Sequence, residues 1–282
     1  LMTKQNALFR RFCKGDFKAL VKEVNRDPAT MEYLDTVRNS KDGLNENYGR
    51  EVQELFTLGV KDVTGADNYT QEDIVQIARA FTGWRYNDKL ESFLDDNRHD
   101  FGSGKVLYKS TGQFGASGVD YAASGQGPGE IDAVVDVIFQ HRDTQGHNTV
   151  ARRIARRLIE FFGTPNAAQS FVDDCVGSGP DAFDVTWDVS GVLRRLFTHD
   201  DFYLGAGAPG TTAHKSIAWP VDYVVTTLRN LKMKPKGKEL LIAGGSYSPL
   251  RDHLIDMGQT LFDPPSVFGW DWETNWISSA TL

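Results

Sequence analysis

The sequence predicts a mainly α, multi-helix globular domain with a small β-hairpin insertion near residues 90–110. Two observations carry this reading. Over most of the chain apolar residues recur three and four apart, the helical spacing. Between residues 85 and 128 that spacing is lost, glycines crowd together, and short apolar runs alternate with turn residues.

The elements follow in order. Residues 5–38 read as two or three short helices, with Phe17, Leu20, Val21 and Val24 on one face. Asp27-Pro28 starts a new helix: the acid caps it and the proline fits its first position. Residues 44–58 form a helix that Gly59 stops. Thr70 followed by Asp73 is a capping box with Asp in place of Glu, and its helix runs to about Phe81. Within 85–128, the run ESFLDDNRHDFGSGKVLY predicts two strands joined by HDFGSG. From Glu130 the chain is helical again through IDAVVDVIFQH, TVARRIARRLIEFFG, PVDYVVTTLRNL and SPLRDHLIDMGQTLF. A loop rich in Pro and Trp follows. The chain reads as a single mainly helical domain over 1–282, with 85–128 as a glycine-rich insertion.

Bulk properties exclude several classes. A chain of 282 residues can bury a core without disulfides or metals. A net charge of -7 argues against nucleic-acid binding, which wants a basic face. Cys13 and Cys175 are too few for a disulfide framework, and no Cys/His zinc spacing occurs. No local spacing builds a metal site, and the cofactor is unknown. The glycine-rich stretch lacks the strand and helix that flank a nucleotide loop. Ser117 and Ser124 lack the context of a nucleophile elbow. No apolar run is long enough to form a transmembrane segment. The amino-terminal residues are not a signal peptide, and both ends read as cut from a longer chain.

On a helical wheel, Leu44, Tyr48, Val52, Leu55 and Phe56 make an apolar arc that Leu58 widens. Glu51 falls inside that widened arc, flanked by Asn47 and Glu54, with Arg50 next outward. A buried carboxylate is costly unless paired. Glu51 is therefore either part of a structural salt-bridge network, for example with Arg79, or a functional group, a general acid/base with a tuned pKa or a metal ligand. His99, Asp100 and Lys105 form a second candidate, supplying a base, a carboxylate and a cation at a turn. The arginines at 152, 153, 156 and 157 read as a basic face that is solvated or pairs acidic neighbours, with an anionic ligand as the alternative. The tail containing Trp270, Trp272 and Trp276 reads as a plug on the core.

Four blocks carry a resemblance: NENYGREVQELFTLGV, YTQEDIVQIARAFTGW, RHDFGSGK and GQTLFDPPSVFGWDWETNWISSATL. In this order, across the chain, they resemble the bacterial domain-of-unknown-function family 1800. The resemblance implies an exported protein (periplasmic, outer-membrane-associated or extracellular) that is mainly helical, and members are usually longer at the amino end. It implies no reaction. It singles out Asn45, Glu46, Asn47, Arg50, Glu51, Glu54, Arg79, Trp84, His99, Asp100, Lys105, Gln259, Pro264, Pro265, Gly269 and Trp270. Gly49 departs from the family pattern and weakens its helix.

Three functions follow. One is a hydrolase acting on a polymer or conjugate, a glycoside or ester hydrolase. Glu51, Glu54, His99 and Asp100 would be its catalytic groups, and Asn47, Arg50, Arg79, Trp84, Lys105 and Trp270 would contact the substrate. Another is a non-catalytic envelope or assembly protein in which the polar cluster is structural. A third, weaker one is metal or cofactor binding through His99 and the carboxylates. The expected partner is a small-molecule or polymer ligand, or a co-exported protein.

Overall fold

The computed structural model describes residues 1–164, 167–204, 217–233, 239–241, 247–266, 269–270 and 276. The chain divides into two compact units, Leu1–Phe162 with Ala167–Tyr203, and Gly163–Asn166 with Leu204–Leu282. Helices dominate, as expected, and the described strands pair only into two-stranded antiparallel ladders.

The first unit begins with α1 (Met2–Phe12), α2 (Phe17–Val24) and α3 (Pro28–Tyr33). Asp16 caps α2 by accepting the Ala19 N–H at 2.9 Å. Asp27 caps α3 through the Thr30 N–H, with Pro28 at the start as expected. Next come α4 (Asn47–Glu54) and α5 (Gln71–Ala80). The helix expected over 44–58 keeps only its middle eight residues. The Thr70–Asp73 capping box on α5 is present in both directions. Gly49 has a purpose that sequence alone does not show. A Cβ there would sit 2.7 Å from the Ile74 carbonyl oxygen and 3.3 Å from the Ala78 nitrogen. The missing side chain lets α4 and α5 touch backbone to backbone.

The hairpin expected within 91–108 does not form. β1 (Trp84–Tyr86) pairs with β2 (Ser92–Leu94), and β3 (Val106–Leu107) pairs with β4 (Val119–Asp120). The two runs expected to pair with each other thus take different partners. His99 and Lys105, at either end of the intervening segment, bury their side chains in the core, while residues 101–104 between them stay exposed.

The rest of the unit is α6 (Glu130–Ile138), α7 (Thr149–Phe162), α8 (Gln169–Val176), α9 (Phe183–Thr186), α10 (Val189–Thr198) and α11 (Asp200–Leu204). Ile131, Val134, Val135 and Ile138 of α6 are buried with Ile77 and Phe81, and with Val150, Ala155 and Ile159 of α7. The basic face of α7 pairs acidic neighbours at Arg152, one of the two expected arrangements. Arg152 is buried, reaching Asp143 at 2.6 Å and gripping both oxygens of Asp173 at 2.7 Å. Cys175 is buried and Cys13 exposed, both as free thiols.

The second unit contains α12 (Pro220–Asn230), β5 (Glu239–Leu241) paired with β6 (Tyr247–Pro249), and α13 (Leu250–Asp256). Trp219 packs its ring 6.4 Å from Trp270 and 6.0 Å from Trp276. Gln259 is buried and accepts the Val221 N–H at 2.9 Å. Trp272 and most of the expected plug lie outside the described residues.

Candidate functional site

The polar residues singled out by sequence fall into two groups within the first unit. The larger is assembled by the end of α5, the segment 99–105 and the first turn of α6. Gly83, at φ +76°, makes the turn that brings them together: a Cβ there would meet the Asp95 oxygen at 2.7 Å and the His99 nitrogen at 2.8 Å. Only a residue at ease in left-handed backbone and without a side chain fits.

At the centre are His99, Lys105 and Glu130, whose side chains are 0 % exposed. The Lys105 Nζ donates to Glu130 Oε2 at 2.6 Å and Oε1 at 2.8 Å, and also to the Asp100 carbonyl. The Gly127 N–H donates to Glu130 Oε1 at 3.0 Å. His99 Nδ1 lies 2.8 Å from the Thr82 carbonyl oxygen and 3.2 Å from the Thr82 hydroxyl. Its Nε2 lies 3.3 Å from Glu130 Oε1. Burial pushes the Glu130 carboxyl up, but the bonds from His99, Lys105 and Gly127 outweigh it and hold Glu130 below the usual range.

Arg79 and Asp100 form the outer half. Arg79 Nε donates to Asp100 Oδ2 at 2.6 Å, and its terminal nitrogens donate to Gln76 Oε1 and to the carbonyls of Gly102, Ser103 and Gly104. Asp100 Oδ1 accepts the Gly102 N–H at 2.7 Å. Burial raises the Asp100 carboxyl, and Arg79, the Gly102 amide and Lys105 together bring it below its ordinary value. Thr82 links the halves: its hydroxyl donates to the Arg79 carbonyl and accepts the Asp100 N–H. The pair expected between Glu51 and Arg79 is not made. The Arg79 guanidinium is fully engaged with Asp100, Gln76 and the 102–104 carbonyls.

The second group lies on α4. Glu51, Glu54 and Arg50 are half-buried, and Asn47 is exposed. Arg50 bonds Gln71 at 3.1 Å and lies 3.9 Å from Glu46. Glu54 accepts the Tyr69 hydroxyl at 3.3 Å. Burial, then the like charge of Glu54, raises the Glu51 carboxyl against the opposing pull of Arg50. The fully buried polar side chain on this helix is Gln53, which accepts the Tyr108 hydroxyl at 3.1 Å. A helical wheel does not reveal it, because Gln53 faces a neighbour more than fifty residues away. Trp84 is buried under the Arg26 guanidinium, which sits 5.3 Å from its ring centroid. Trp270 belongs to the second unit.

Sequence reasoning also misses Glu130, Thr82 and the Arg152–Asp143–Asp173 triad. Glu130 reads as an acid in the first turn of a helix, which any helix dipole favours, so nothing local marks it. Among the described residues, no group of three or more His, Cys, Asp or Glu could hold a metal ion. Among them too, no helix is long and apolar enough to cross a membrane.

A mainly helical protein with a sealed, fully paired polar hub is the class these features define. The chain belongs to the family described as "Protein of unknown function (DUF1800)", whose model matches residues 1–282. No curated protein and no solved structure matches it.

Proposed function

We propose that this chain is a non-catalytic protein of the bacterial envelope, exported from the cytoplasm, whose polar hub is a structural lock. The observation that carries this reading is the closure of the His99–Lys105–Glu130 cluster. A general acid or base must come within hydrogen-bond reach of its substrate. The His99 and Lys105 side chains have no exposed surface, and their nitrogens already face carbonyls or Glu130. One observation favours the hydrolase reading instead: Glu51 is a carboxyl with a raised pKa beside a second carboxyl, Glu54.

The test runs on purified protein with chromogenic glycoside and ester substrates, comparing wild type with Glu51→Gln. The expected result is no turnover by either. Turnover by wild type that Glu51→Gln abolishes without lowering Tm would overturn the proposal. Fractionation of the producing bacterium, with an antibody against this chain, is expected to find it outside the cytoplasm. A cytoplasmic location would overturn that part.

A further inference from the structure

A groove of about 600 Å³ opens in the first unit between α1, α2, α3, the end of α4 and α7. Its walls are apolar, with Phe9, Leu20, Val24, Phe56 and Ile154 among them. Its floor is the core itself, since Val21, Ala29 and Leu34 line it and are at least nine-tenths buried. A volume in this range and a lining of this kind are those of a small-molecule pocket rather than a flat docking face.

Gln5 and Thr30, bonded to each other, Asn25 and two arginines break the apolar lining. Asn25 is 1 % exposed; its Oδ1 accepts the Tyr48 hydroxyl, while its Nδ2 has no hydrogen-bond partner among the described residues. A buried amide donor left unmet costs stability until something accepts from it. On α7, Arg153 and Arg157 flank Ile154, one helical turn apart. The Arg153 guanidinium donates to the Glu54 carbonyl at 2.8 Å and the Leu55 carbonyl at 3.3 Å. Among the described residues no carboxylate lies within ion-pair distance of it. Burial, then the like charge of Arg157, holds Arg153 below the usual arginine value. Arg157 is half-exposed at the rim, 3.5 Å from Glu160.

We propose that this groove binds a single-chain amphipathic carboxylate, its apolar body against Leu20, Val24 and Ile154 and its anionic head toward Arg153 and Arg157. The apolar walls select the chain. Arg153 selects its charge, since its guanidinium is met by two backbone carbonyls and an anionic head would add a charge-assisted bond. An oxygen-bearing ligand is further favoured by the Asn25 donor over a pure hydrocarbon.

Dodecanoate and dodecyltrimethylammonium share a chain length and differ in head charge, so calorimetric titration with each tests the assignment. Dodecanoate is expected to bind about tenfold more tightly than the cation. Arg157→Glu, at the exposed rim, is expected to erase that preference, and Leu20→Trp, which fills the groove, to abolish binding of both, with Tm near wild type in each. No dodecanoate binding, or binding that neither substitution alters, would overturn the proposal. So would a dimer in sedimentation that Leu20→Trp dissociates, since the occupant would then be a second copy. None of these outcomes depends on whether the chain is an enzyme.

Discussion

Lys105 and Glu130 form an ion pair sealed from solvent, the ammonium 2.6 and 2.8 Å from the two carboxylate oxygens and both side chains 0 % exposed. Each charge is tolerable only because of the other. Lys105→Met strands a buried carboxylate and is expected to cost about 3–5 kcal/mol in urea denaturation. Replacing both, with Lys105→Met and Glu130→Leu, is expected to recover much of that loss. A double variant as unstable as the sum of the singles would mean that the pair itself is not what matters.

Arg79 holds the 100–104 turn through four acceptors, a fork that an ammonium cannot copy. Arg79→Lys is therefore expected to behave as a disruptive change despite conserving charge. Amide exchange across residues 100–105 should accelerate while α7 stays protected. Unchanged exchange in that turn would contradict the account.

His141 gives the fold an acid limit. It is buried, donates from Nε2 to the Asn68 carbonyl at 2.9 Å, and accepts the Thr149 hydroxyl at Nδ1. Burial lowers its pKa from 6.5 to about 4, against the Asn68 bond and nearby carboxylates. Between those values the unfolded chain binds a proton that the folded chain refuses. The stabilisation is complete above pH 6.5 and is lost as pH falls toward 4, a total of about 3 kcal/mol. His141→Gln is expected to flatten the stability profile across that window.

Gly49→Ala ought to stabilise an exposed helix by about 1 kcal/mol on propensity alone. Here the added methyl meets the Ile74 carbonyl at 2.7 Å, so a loss of about 1–3 kcal/mol is expected instead. Thermal denaturation reads the sign directly, and a raised Tm would show that α4 and α5 can part without penalty.

Local signals are legible in the sequence where the physics is local. The Thr70–Asp73 box, the Asp27–Pro28 start and the apolar stripes of α6 and α7 depend on residues a few positions apart. What depends on distant partners is not legible. Arg79, His99, Asp100 and Lys105 stand out, yet the carboxylate that joins His99 and Lys105, Glu130, lies 25 positions beyond Lys105 and looks ordinary in its helix. The wheel puts weight on Glu51 and passes over Gln53, because a wheel shows which face is apolar and not what packs against it. The runs near 91–108 read correctly as extended segments, but composition does not reveal their partners. The burial of His99 and Lys105, which diverts the chain between those runs, is a tertiary event.

The Lys105–Glu130 contact ties the middle of the glycine-rich segment to the start of α6, so it works as a non-covalent staple across 25 residues. A segment fastened at its base need not hold itself in shape, and lengthening such a loop is cheap, about 0.6 kcal/mol per doubling. At Gly112, Gly115 and Gly125 an added side chain would meet open space. Engineered insertions at those tips should leave the hub intact.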